Sequence, residues 1–166
     1  MVESGKVVIT DAMRKMFSDP DEVILFEENI TKISSWGFSQ QRALAVTTDH
    51  VYVFTSGKIS RKHRITNLGA IIQSNLSSEL VLHFPNMKDL RITDLSRERQ
   101  MELRNLIQLR FINKNPNKTL ELYGVDNKSL KEYARDNKKY GFPNLPSIEC
   151  RLRDQEIKGT ADDYEN

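Results

Sequence analysis

Between residues 22 and 93 the apolar residues follow a period of two in short runs, with only a few polar residues between one run and the next. Parallel strand pairs need crossovers of a dozen or more residues, so this spacing predicts an antiparallel meander. The first run, EVILFEENITKISSW, carries Val23, Leu25, Ile30 and Ile33 and changes phase midway, which predicts a β-bulge. Arg42 to Thr48 predicts a second strand, Asp49-His50 a tight turn, and VYVFTS a third strand ending at Gly57. Ile59 to Ile65 predicts a fourth, basic and placed at a sheet edge, where charge discourages pairing with another chain. Leu68 to Gln73, Glu79 to Phe84 and Asp89 to Thr93 bring the expected total to seven strands.

A helix follows, capped by Asp94 or Ser96, because Leu103, Leu106, Ile107 and Phe111 form one apolar stripe. Such a stripe suits a helix lying over the open end of a curled sheet. The expected fold class is therefore mainly β with α: an antiparallel seven-stranded β-sandwich or barrel over 22–113, capped by a C-terminal helix. Residues 1–21 form an N-terminal extension with a short helix over 11–17, ended by Ser18-Asp19-Pro20-Asp21. Residues 114–166 form a C-terminal extension. It holds a strand-like TLELYG (119–124), a helix from Asn127 to Lys139 with Leu130, Tyr133 and Ala134 on one side, and an irregular acidic tail.

Composition narrows the function. The 166 residues, 38% hydrophobic and 29% charged, supply one modest core, and no window approaches the ~18 apolar residues of a membrane span. A single cysteine, Cys150, excludes an internal disulfide framework and a thiolate-rich metal site, which makes a reducing, cytoplasmic setting the expectation. His50, His63 and His83 fall in a turn and on two strands without ligand spacing, so no metal is expected. Asp19, Asp21 and Glu22, or Glu27 and Glu28, imitate paired carboxylates but have no nucleophile and base beside them, so neither catalysis nor a cofactor is expected. The strand GKISRKHRI has cations and no aromatic side chain, which argues against nucleic acid.

Two features point to binding instead. Lys58, Arg61, Lys62 and Arg64 crowd one strand, and Lys128, Lys131, Arg135, Lys138 and Lys139 form a second basic set. Each set is either a solvated face or a positive patch for phosphate, acidic lipid or an acidic protein. Trp36 and Phe38 flank Gly37 at a predicted hairpin tip. Three readings of that pair stand open: a ring folded back on the sandwich edge, a protein hot spot, or an anchor in a membrane interface.

The segments QQRALAVT (40–47), KISRKHRI (58–65), SSELVLHFP (77–85) and KDLRIT (88–93), followed by a helix, occur in an order that resembles the tail-homology-1 domain of class I myosins. They are also similar to pleckstrin-homology-like domains attached to some protist protein kinases. The resemblance implies a pleckstrin-homology-like docking fold, in many members directed at phosphoinositide membranes. In phosphoinositide-binding members, a Lys late in the first strand and a basic pair opening the second converge on the phosphates. Lys32 and Arg42 stand at two of those positions, whereas the third is the neutral Gln40, and the loop 34–39 holds no cation. The first expectation is accordingly a non-catalytic adaptor that docks on protein through Trp36, Phe38, Arg61, Lys62 and Arg64. A cytoskeletal or ciliary microtubule partner suits it, since tubulin is acidic and the protist relatives are often ciliated. The alternative is a peripheral membrane module that reads acidic phosphoinositides through Lys32, Arg42 and Lys58.

Overall fold

The computed structural model of the chain describes residues 8–134, apart from Ser35 and Asn86. A four-residue helix α1 (Asp11–Arg14) precedes seven strands: β1 (Ile24–Ile33), β2 (Ser39–Thr47), β3 (His50–Thr55), β4 (Lys58–Arg64), β5 (Ala70–Ser74), β6 (Leu80–His83) and β7 (Leu90–Thr93). Helix α2 (Arg97–Lys114) and an eighth strand, β8 (Glu121–Val125), follow. The strand order is β4-β3-β2-β1-β7-β6-β5-β8. Strand β1 pairs with β2 from Ile24 to Ile33 but with β7 only at Thr31 and Lys32, so it joins the two halves of the sheet. The expected phase change in β1 is a register shift between Ile24 and Phe26.

The halves close over one core. Ile30, Leu44 and Val53 from one half meet Ile71, Leu82 and Leu90 from the other, and α2 lays Leu103, Ile107 and Phe111 among them. Ser96 caps α2 by accepting from the Arg99 backbone N–H at 3.1 Å. Asp94 instead takes the Thr31 hydroxyl. Arg99 ties the helix to β1, bonding Glu28 at 2.9 Å with its guanidinium 4.0 Å from the Phe26 ring centroid.

The outer faces of the sheet are covered as well. Tyr52 and Phe54 of β3 point away from the main core and pack with Ala45 against Ile9, Met13 and Phe17 of the N-terminal segment. Phe17 stacks on Tyr52 with centroids 4.6 Å apart. On the other half, Ala70, Ile72 and Val81 pack with Tyr123, Val125 and Leu130.

The C-terminal extension adds to the expected sheet and departs from the expected helix. The short strand expected at TLELYG is β8, which joins the sheet as an eighth strand parallel to β5, from Ala70↔Glu121 to Ser74↔Val125. The long crossover that a parallel pair requires is supplied by β6, β7 and α2. The helix expected over 127–139 is, among the described residues, a single 3-10 turn at Lys131–Tyr133. Tertiary bonds hold that backbone: the Ser74 and Ser77 hydroxyls donate to the carbonyls of Asn127 and Lys128, and Glu79 accepts the Leu130 N–H at 2.7 Å. The remainder of that expected helix, the acidic tail and Cys150 lie outside the described residues.

Candidate functional site

Strand alternation sets the site. Ile30, Leu44 and Val53 face the core. Two residues beyond Ile30 on the same face stands Lys32; Arg42 is opposite Ile30 and Arg61 is opposite Val53. The inner face therefore turns from apolar to cationic toward one end of the sandwich. Because β1 and β7 pair antiparallel at Lys32↔Ile92, the β1–β2 tip and the β6–β7 loop lie at that same end. The β6–β7 loop adds Lys88, which is exposed.

These cations act on one another. Burial first, and then the charges of Arg61, Arg42 and Lys88, pull the Lys32 ammonium below its ordinary value. Its ammonium makes a long 3.5 Å contact with the Gln40 side-chain oxygen. Arg42 donates to the Gln41 carbonyl at 2.7 Å. Among the described residues, none of Lys32, Arg42 or Lys88 pairs with a carboxylate. Like charges brought together without counterions attract an anion.

Arg61 is held differently. Its guanidinium donates to the carbonyls of Asp89, at 2.9 Å, and Lys88, and its Nε donates to His63 Nε2 at 3.1 Å. Burial pushes Arg61 down to about 10, partly offset by the Asp89 charge, and burial together with Arg61 pushes His63 to about 4. His63 is thus neutral at pH 7 and can accept that bond.

Beyond the cations projects the β1–β2 tip. Trp36 is 84% exposed and Phe38 67%, so Trp36 does not fold back on the sandwich edge. Gly37 takes φ +86°, which only glycine adopts without strain. Three N–H groups are bonded within the turn: Ser34 N–H donates to the Phe38 carbonyl at 2.9 Å, Gly37 N–H to the Ser34 carbonyl at 2.9 Å, and Phe38 N–H to the Ser34 hydroxyl at 3.1 Å.

Of the remaining expected residues, Lys58 stands at this same end of the sandwich, whereas Lys62 and Arg64 lie elsewhere. Lys58 is exposed opposite Thr55 beside the β3–β4 turn and is not among the charges acting on Lys32. Lys62 and Arg64 pair with Tyr52 and His50, which puts them on the opposite face of β4 from Arg61. Lys62 bonds the Ser18 hydroxyl at 2.9 Å, and Arg64 lines a mixed-charge cleft of about 260 Å³ with Asp19, Asp49 and Lys114. The buried imidazole of His83 contacts the Asp89 carboxylate at 2.8 Å. Among the described residues no cluster of His, Cys, Asp and Glu could hold a metal ion, and no helix is long and apolar enough to cross a membrane.

No family model matches the chain. Over 93 residues, 52% of its length, it is 31% identical to the myosin IF heavy chain of Dictyostelium discoideum, of which the match spans 9%. The hSac2 domain of the human phosphoinositide phosphatase Sac2 superposes with a TM-score of 0.53 at 12% identity, covering 70% of this chain and 85% of that domain. The DH/PH domains of PDZ-RhoGEF, solved in complex with activated RhoA, superpose with a TM-score of 0.51 at 10% identity, covering 68% of this chain and 35% of theirs.

Proposed function

We propose that the pleckstrin-homology-like fold of this chain serves as a non-catalytic binding module that docks on anionic phospholipid surfaces. Lys32, Arg42 and Lys88 would meet the headgroups, and Trp36 and Phe38 would enter the interface beside them. The observation that carries this is the juxtaposition of cations lacking carboxylate partners with a hairpin tip whose aromatics are 84% and 67% exposed. A membrane interface accepts both: each basic side chain near an acidic leaflet is worth ~1 kcal/mol, and Trp is at home at the headgroup level. The bonding inside the turn matters too. An unpaired amide is costly in an apolar medium, and the N–H groups of Ser34, Gly37 and Phe38 already have acceptors.

Vesicle sedimentation tests this. The full chain should pellet with phosphatidylcholine vesicles that contain phosphatidylserine or a bisphosphorylated phosphoinositide, and not with phosphatidylcholine alone. Trp36→Ala should weaken binding about tenfold without lowering the melting temperature, since the ring touches little of the fold. Lys32→Ala with Arg42→Ala should abolish it. Equal pelleting with neutral and acidic vesicles would refute the electrostatic part.

Protein docking is a second reading of the same tip, favoured by the absence of any cation at Ser34, Trp36, Gly37 and Phe38. An exposed Trp in that setting fits a pocket on a cytoskeletal or ciliary partner such as tubulin. Co-sedimentation with microtubules, together with no binding to either acidic vesicle, would favour it over the lipid reading.

A further inference from the structure

Arg61 joins the fourth strand to the β6–β7 loop by hydrogen bonds. Arg61 uses each of its three nitrogens: Nε on His63, Nη1 on the Asp89 carbonyl and Nη2 on the Lys88 carbonyl. Its guanidinium lies 5.9 Å from the Phe84 ring centroid, and His63 stacks on that ring at 3.8 Å. Within the loop, Met87 N–H donates to the Phe84 carbonyl at 3.0 Å, Phe84 N–H donates to the Asp89 carboxylate at 3.1 Å, and that carboxylate also contacts His83 Nδ1 at 2.8 Å. Those bonds shape the loop; Arg61 fixes where it sits against β4.

We infer that Arg61 is a positioning residue, which straps the β6–β7 loop so that Lys88 completes a cation set with Lys32 and Arg42. This rests on the anionic-surface reading of the mouth. Gln40, opposite Lys32, contributes no charge, so that strand pair offers only Lys32 and Arg42. Lys88 supplies the missing cation from another loop, close enough to act on Lys32. Arg61 is poorly placed to do so itself, because three of its five N–H donors already serve two backbone carbonyls and an imidazole. A lysine there would keep the charge but could not span two successive carbonyls with a planar fork.

A double-mutant cycle on the full chain separates strap from contact. Affinity is measured for phosphatidylcholine vesicles containing the bisphosphorylated phosphoinositide. Lys88→Ala should weaken binding about fivefold. Arg61→Lys should cost about as much despite conserving charge, and the double variant should bind no more weakly than Lys88→Ala alone. Wild-type affinity in Arg61→Lys, or losses that multiply, would overturn the inference. Should Arg61→Lys fail to fold, arginine modification by phenylglyoxal on the wild type decides instead. Arg61 should stay unreactive with and without vesicles while Arg42 becomes protected, and an Arg61 that is reactive alone and protected by vesicles overturns the strap. Absence of wild-type binding to any acidic vesicle would overturn the surface reading and this inference together, whereas binding that is insensitive to Arg61→Lys overturns this inference alone.

Discussion

Glu22 shows how much one buried carboxylate can organise. Its side chain is fully buried, yet it accepts from the Thr47 hydroxyl, the Tyr52 hydroxyl at 2.8 Å and the Asp19 N–H at 3.0 Å, with His50 Nδ1 at 3.1 Å. Burial alone would raise its pKa, but the bonds from Thr47, Tyr52, His50 and Asp19 outweigh that and hold it below the ordinary carboxylate value of 4.5. A carboxylate depressed on folding contributes stability that is fully present above its unfolded pKa and is lost as pH falls through the folded one. Glu22→Gln should therefore cost about 1–3 kcal/mol at pH 7 in denaturant melts. The gap between the two proteins should then narrow below pH 4.5. A gap that stays constant down to pH 3 would show that the network reads the shape of the side chain and not its charge.

At the scale of elements, the segments before β1 and after α2 are layers of the fold, because β3 and β5 bury side chains on both faces. Ile9, Met13 and Phe17 cover one outer face, and Leu130 covers the other. Phe17→Ala should cost about 3 kcal/mol and Leu130→Ala about 2–3 kcal/mol, read as shifts in the denaturant midpoint at unchanged slope. Unchanged midpoints would mean that these clusters are loosely packed. Sequence periodicity located the seven antiparallel strands and the α2 stripe, since each depends on neighbours a few residues apart. It did not reveal the outer layers. The run Val51-Tyr52-Val53-Phe54 is apolar at every position, and nothing in it says that Phe17, far upstream, supplies the second face. The same limit produced the helix expected from Asn127: local propensity lost to the Ser74, Ser77 and Glu79 side chains, which lie some 50 residues earlier in the chain.

The whole molecule has two unlike ends. The far end, at the β2–β3 turn, is tied shut by Lys114 on Asp49, by Arg110 on the Thr48 carbonyl at 3.0 and 3.1 Å, and by the Glu22 network. The near end gathers Lys32, Arg42, Lys88 and the exposed tip. Of these, Trp36 and Phe38 were visible in the sequence through turn chemistry, and Lys32 and Arg42 through the resemblance to phosphoinositide-binding domains. Lys88 was not, because one lysine in a turn carries no signal until the fold sets it beside Lys32. Arg61, Lys62 and Arg64 divide for the converse reason: a period of two sends Arg61 to one face and Lys62 and Arg64 to the other. This division of labour predicts that stability and binding come apart. A fragment of residues 22–113 keeps the described residues of the near end but loses both outer layers, leaving Tyr52, Phe54, Ile72 and Val81 bare. Against a fragment of residues 8–134, it should unfold at a clearly lower denaturant concentration and bind a hydrophobic dye, since exposed apolar patches of that size are rare on stable monomers. Under conditions where both remain folded, the two should bind acidic vesicles with equal affinity. Equal unfolding midpoints would show that the outer layers contribute little. A selective loss of vesicle affinity in the shorter fragment would place part of the binding surface on the extensions, not at the mouth.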